Sequence, residues 1–212
     1  MRKILLSVFA MLLLFSPLAK AQPDNSGLTE SLSLPATDTN RLVLKFTNFN
    51  FMKNNEYFNE LYEGFTLFGY QLNPRLAYAP NPHLSLEAGI YIWKDFGNTL
   101  YTSIAPTFTI KVHKNGYSFL LGNLEGPLNH QLIEPLFDFE NLINHRNENG
   151  GQFRTDKKAI WSDTWLNWER AIYPGSTFQE AFTFGHSSRI TLLEKNNFKL
   201  SIPLQVIMYH NG

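Results

Sequence analysis

The chain has no cysteine. That excludes a disulfide framework, a thiolate metal site and a lipid-anchored N-terminal cysteine. Charge of one sign is also missing: 18 basic residues balance 18 acidic ones, so there is no electrostatic footprint for nucleic acid or for a polybasic membrane patch. Beyond the N-terminus no apolar run is long enough for a transmembrane helix. Gly-rich phosphate loops, dinucleotide fingerprints, zinc-protease motifs and the Gly-x-Ser-x-Gly elbow are all lacking. No cofactor and no metal are therefore expected.

An export signal is present. Arg2 and Lys3 precede the apolar run from Ile4 to Phe15, and Ala19-Lys20-Ala21 offers a small-x-small cleavage site. Residues 1–21 read as a signal peptide. Residues 22–40 are rich in Ser, Thr, Pro and Asp and read as a flexible leader. Residues 41–212 then form one domain. Aromatics make up 15% of the chain, with 18 Phe, which suits rings facing lipid and forming interfacial girdles.

Alternation is the dominant pattern. In 68–78, Phe68, Tyr70, Leu72, Pro74, Leu76 and Tyr78 alternate with Gly69, Gln71, Asn73, Arg75 and Ala77. A strand sends successive side chains to opposite faces, so one face is apolar and the other polar. The same holds for 83–93, 100–112 and 198–209. About 9–11 tilted residues cross a bilayer as a strand. Nine strands are expected: 41–51, 65–79, 83–93, 100–112, 117–122, 158–172, 177–184, 189–193 and 198–209. Trp161, Trp165, Trp168 and Ile172 also fit helical spacing, so the sixth is the weakest of them. Connections alternate in length. Those at Pro80-Asn81-Pro82, Lys114-Asn115-Gly116, Tyr173-Pro174-Gly175-Ser176 and Glu194-Lys195-Asn196-Asn197 are tight turns. Outer-membrane barrels pair short periplasmic turns with longer outer loops. The fold class expected is all-β, an antiparallel up-and-down transmembrane β-barrel with the even-numbered residues of strands two to four and nine facing lipid.

Residues 123–157 break the pattern. Pro127 and Pro135 forbid one long helix, yet the stretch is too apolar for a floppy loop. It is expected to fold against the barrel mouth or into the lumen. Arg75, Glu87 and Lys111 on the polar strand faces, with Glu125, His130, Glu134 and Asp138 from this loop, are candidates for a lumen or constriction that filters solutes by charge and size. The four-residue spacing of His130, Glu134 and Asp138 suggests a metal set on one helical face, but Pro135 interrupts that helix. Trp161 and Trp165, beside Asp163, Asn167 and Glu169, are candidates for stacking on sugar rings. His186 with Ser187 or Ser188 and Glu180 holds the residue types of a hydrolase: nucleophile, base and orienting acid. A His beside Ser in a loop is a weak signal, and the plainer reading is a polar outer loop. No catalytic residue is assigned.

Together with the paired strands, the segments Leu121-Gly122-Asn123-Leu124-Glu125-Gly126, Leu132-Ile133-Glu134-Pro135-Leu136-Phe137-Asp138-Phe139-Glu140 and Trp161-Ser162-Asp163-Thr164-Trp165-Leu166-Asn167-Trp168-Glu169 make residues 40–212 resemble uncharacterised outer-membrane barrels of the Bacteroidetes. The resemblance implies a porin-like passive channel or a surface structural protein in the cell outer membrane. Its partners would be the lipid bilayer, lipopolysaccharide and the barrel insertion machinery. It carries no residue-level chemistry. Such barrels end on Phe or Trp and have even strand counts. An odd count and a terminal Asn211-Gly212 lead to the expectation that this is the N-terminal part of a longer barrel, the alternative being a small complete barrel with one strand missed or split. The competing reading is a secreted soluble β-sandwich that binds carbohydrate. On balance the sequence suggests a protein that is not an enzyme.

Overall fold

Polar residues line the inside of this sheet and apolar residues its outside. The structure, a computed structural model, describes residues 28–29, 32, 34–35, 38–56, 64–196 and 198–212. The expected signal peptide lies outside the described residues, as does most of the expected leader. Nine strands form one antiparallel sheet in sequence order: β1 Leu42–Asn55, β2 Phe65–Asn81, β3 Leu84–Asp95, β4 Ser103–Lys114, β5 Tyr117–Asn123, β6 Asn149–Asp156, β7 Ile160–Arg170, β8 Ala181–Lys195 and β9 Phe198–Asn211. This is the up-and-down all-β architecture expected. Among the described residues no ladder joins β1 to β9, so the sheet is open at that seam.

The sheet curls around the segment 124–148. Lys53 of β1 bonds Glu140, Gln71 of β2 bonds the Ile143 carbonyl, and Gln205 of β9 bonds the Gln131 carbonyl. One loop thus touches both edge strands and the wall between them. The inner face buries Gln71, Asn73, Arg75, Glu87, Thr107, Thr109, Lys111, Gln152 and Asp163, while Leu44, Phe46, Leu76, Ile104, Phe108 and Leu204 stay exposed on the outer face. A soluble sandwich does the reverse, meeting apolar face to apolar face. The β-sandwich alternative therefore finds no support. In β2 to β4 and β9 the outward set is the even-numbered one.

The longer connections 96–102, 124–148 and 171–180 share one end of the sheet, and tight turns close the other. The strand count agrees with expectation through two offsetting differences. β6 lies in the stretch read as patternless, because Gly150, Gly151 and Gln152 blur its alternation. The segments read as strands seven and eight are one strand, β8, and the supposed loop at His186 is its middle. Tyr173–Ser176, read as a tight turn, belongs to a longer connection at the opposite end of the sheet. The Trp-rich segment is a strand, not a helix.

At the end of β5 the chain turns inward. Gly122 has φ of 106°, and a Cβ there would lie 2.0 Å from the Phe108 carbonyl oxygen, so only glycine fits. Asn123 Oδ1 then accepts the Phe108 N–H at 2.6 Å, which seals the ladder where the backbone departs. The loop proceeds through 3₁₀ turns at Pro127–His130 and Glu134–Leu136 and a short helix, Asn141–Asn144.

Candidate active site

Two clusters of reactive side chains stand on opposite sides of the wall formed by β7 and β8. The inner cluster centres on His130, which the Pro127–His130 turn delivers into the barrel. His130 Nδ1 lies 2.9 Å from Asp163 Oδ2 and Nε2 lies 2.8 Å from Glu148 Oε2. Two carboxylates take both ring nitrogens, so the ring is an imidazolium. Burial works against its charge, but Glu148 and the hydrogen bonds to Asp163 and Glu148 outweigh it and raise the pKa to about 9. Gln152 Nε2 also donates to Asp163 Oδ2, at 2.9 Å. The His130 ring lies flat on the Trp165 indole, with centroids 3.6 Å apart and planes at 6°.

Beside this cluster, Glu125 accepts from Lys111 Nζ at 2.6 Å and from the Leu32 N–H at 3.0 Å, and it pairs with Arg154. Burial raises the Glu125 pKa, but the charges of Lys111 and Arg154 overcome this and hold it below the usual carboxylate value. Glu87 pairs with Lys45 at 2.7 Å and Arg75 at 3.5 Å. The candidates Arg75, Glu87, Lys111, Glu125 and His130 thus all lie buried in the interior. Arg154 and Gln152, which reach both Glu125 and Asp163, join the Lys111–Glu125 pair to the His130 cluster, while Glu87 pairs with Arg75 and Lys45. Glu134 and Asp138 are exposed and do not join His130, whose ring nitrogens are already occupied. Trp165 is 2% exposed beneath His130, so its face is not open to a sugar. Trp161 faces inward near the tight-turn end, with the Arg189 guanidinium 5.7 Å from its ring centroid.

The outer cluster is smaller. Thr164 of β7 and His186 of β8 are cross-strand partners on the outward face, and Thr164 Oγ1 lies 2.7 Å from His186 Nδ1. One step towards the tight turns, Ser162 pairs with Ser188 on the same face. Apolar residues surround them: Leu166 and Phe184 on one side, Ile160 and Ile190 on the other, and Val206 opposite His186 on β9. Hydroxyls and an imidazole on an otherwise apolar wall are costly in hydrocarbon, which makes this cluster a candidate site. A hydroxyl within hydrogen-bond reach of an imidazole is the minimal nucleophile–base pair. Among the described residues no carboxylate hydrogen-bonds to the His186 ring.

The hydrolase constellation weighed from sequence is thus split. Ser187 points inward and accepts from Gln205 Nε2 at 2.9 Å, and Glu180 sits at the loop end, 3.9 Å from His210. His186 and Ser188 share the outer face because they are two apart on a strand. Thr164 was not among the residues singled out. Its signal was available: it interrupts the outward row Ile160, Leu166, Trp168 at the position that pairs with His186.

No curated protein and no solved structure matches the chain. A family model described as Lipid A 3'-O-deacylase-type matches residues 34–212. That family is named for an ester-cleaving activity, which overturns the expectation that the protein is not an enzyme. The His186 region, read from sequence as a polar loop, is the middle of strand β8. By a match that takes in all nine strands and both clusters, the chain belongs to the Lipid A 3'-O-deacylase-type family.

Proposed function

We propose that this protein is an outer-membrane esterase that releases an ester-linked acyl chain from a lipid A-type glycolipid, using Thr164 and His186 on the outside of the barrel. One observation carries the reading: the 2.7 Å contact between Thr164 Oγ1 and His186 Nδ1 lies on the apolar outer wall of a chain from a deacylase family. The substrate's esters lie among acyl chains, so a nucleophile on that wall meets them without the lipid entering the lumen.

In this mechanism His186 Nδ1 takes the Thr164 hydroxyl proton as Oγ1 attacks the ester carbonyl carbon. The C–O bond to the sugar breaks, and the proton passes from His186 to the departing sugar oxygen. Water then attacks the acyl-threonine with His186 again as base. A free fatty acid leaves, and the Thr164 hydroxyl is restored. No metal is required by this scheme. The porin-like alternative is weaker, because the inside of the sheet is occupied by the loop 124–148 and its ion pairs.

The test is release of fatty acid from purified lipopolysaccharide in detergent, followed by mass spectrometry, with the wild type, Thr164→Val and His186→Asn. Loss of release in both variants, with heat-modifiable gel mobility retained, is the expected result. Wild-type release by both would move the chemistry elsewhere on the molecule.

A further inference from the structure

The inner and outer clusters share two peptide segments. Trp165 follows Thr164, Gly185 precedes His186, and the two inward residues are themselves cross-strand partners. The Trp165 indole lies over Gly185 so closely that a Cβ at 185 would come within 2.1 Å of the ring. On its other face the indole carries the His130 ring. His130 is fixed in turn by Asp163, the inward residue before Thr164, and by Glu148 of the loop.

We propose that His130 and Trp165 are positioning residues for the outer hydroxyl–imidazole pair: the loop's His130 clamps the indole flat onto Gly185 and so fixes the approach of β7 and β8 where Thr164 meets His186. This rests on the reading of Thr164 and His186 as the reacting pair. The physical argument is one of leverage across a single layer. A strand's neighbouring side chains leave by opposite faces, so the backbone atoms that carry Thr164 and His186 are also those that carry Trp165 and Gly185. Lifting the indole lets the strands shift at that pair. Small misplacements of reacting groups cost rates on the order of 10²-fold. The loop 124–148 thereby acts on chemistry that takes place outside the barrel.

The test uses the full chain and fatty-acid release from lipopolysaccharide. Gly185→Ala forces the indole away, Trp165→Ala removes it, and His130→Gln removes the stacked cation while keeping a polar group. Each is expected to lower kcat by about 10- to 100-fold with little change in KM, at normal heat-modifiable mobility. Trp165→Phe, which restores a flat ring, is expected to recover most of the rate. Gly185→Ala is expected to add nothing in the Trp165→Ala background, because its effect runs through the indole. Folded His130→Gln and Trp165→Ala variants with wild-type kcat would overturn the proposal, as would effects of Trp165→Ala and Gly185→Ala that simply multiply. If Gly185→Ala fails to fold, the other two single variants and the Trp165→Phe recovery decide. Active Thr164→Val and His186→Asn would remove the reacting pair and this inference with it. Inactive Thr164→Val and His186→Asn alongside fully active interior variants would remove this inference alone.

Discussion

Lys111 and Glu125 join the barrel wall to the loop that fills it: Lys111 Nζ lies 2.6 Å from Glu125 Oε1, with both side chains under a tenth exposed. Arg154 holds the second Glu125 oxygen. Removing one member of a buried pair costs about 3–5 kcal/mol, because the remaining charge stays buried. Glu125→Gln takes the carboxylate from two cations, whereas Lys111→Met leaves Arg154 in place. Glu125→Gln should therefore be the more destabilising. The temperature at which the gel mobility shifts should fall in the order wild type, Lys111→Met, Glu125→Gln, and the reverse order would refute the shared-carboxylate account.

The loop's attachment should also depend on pH. Burial opposes the His130 charge, but Glu148 and Asp163 raise its pKa from 6.5 to about 9. A raised pKa means the folded state holds the proton more tightly than the unfolded chain. The stabilisation is thus complete below about pH 6.5 and is lost as pH climbs through 9. Its size is about 3 kcal/mol, from 1.36 kcal/mol per pKa unit. Hydrogen exchange at residues 126–131 should quicken between pH 7 and pH 10 beyond the ordinary base-catalysed rise. His130→Gln should show only the ordinary rise. A wild type that follows the variant across that range would refute the imidazolium assignment.

How much of this could be read from sequence depended on where function interrupts pattern. β2, β3, β4 and β9 announce themselves because Leu72, Leu86, Phe108 and Leu204 alternate with polar neighbours that face the interior. β6 does not, since Phe153 is the one large apolar residue on its outer side. β8 was divided because Gly185, His186, Ser187 and Ser188 give neither face an apolar residue. Local rules tend to fail at functional sites, and this failure fell on His186, one half of the proposed outer pair, whereas the strand that carries Thr164 was legible. The inner contacts of His130 were illegible for another reason. They join residues up to 35 positions apart, which no local spacing encodes.

An occupied lumen predicts poor conduction. The loop reaches β1, β2 and β9, and ion pairs fill the space near β3 to β6. Reconstituted in planar bilayers, the protein should give no steady porin-sized conductance. Double replacement of Lys111 and Glu125 by Ala should raise the frequency of brief openings by freeing one anchor. Steady large currents from the wild type would restore the channel reading.

The outer pair should trade stability for activity. His186 and Thr164 lie on a wall that also carries Ser162 and Ser188 and whose flanking members Ile160, Leu166, Phe184 and Ile190 are apolar. Polar groups facing lipid are unfavourable in a depth-dependent way. Replacing them with apolar residues of similar size should therefore leave resistance to unfolding in vesicles unchanged or raise it. His186→Leu and Thr164→Val are expected to melt at or above the wild-type temperature while releasing no fatty acid. A residue kept only for packing shows the opposite pairing, with lower stability and residual activity in proportion to the folded fraction. Destabilisation of both variants with activity intact per folded molecule would mean that the Thr164–His186 hydrogen bond serves the fold, and the reacting group would have to be sought elsewhere on the outer wall.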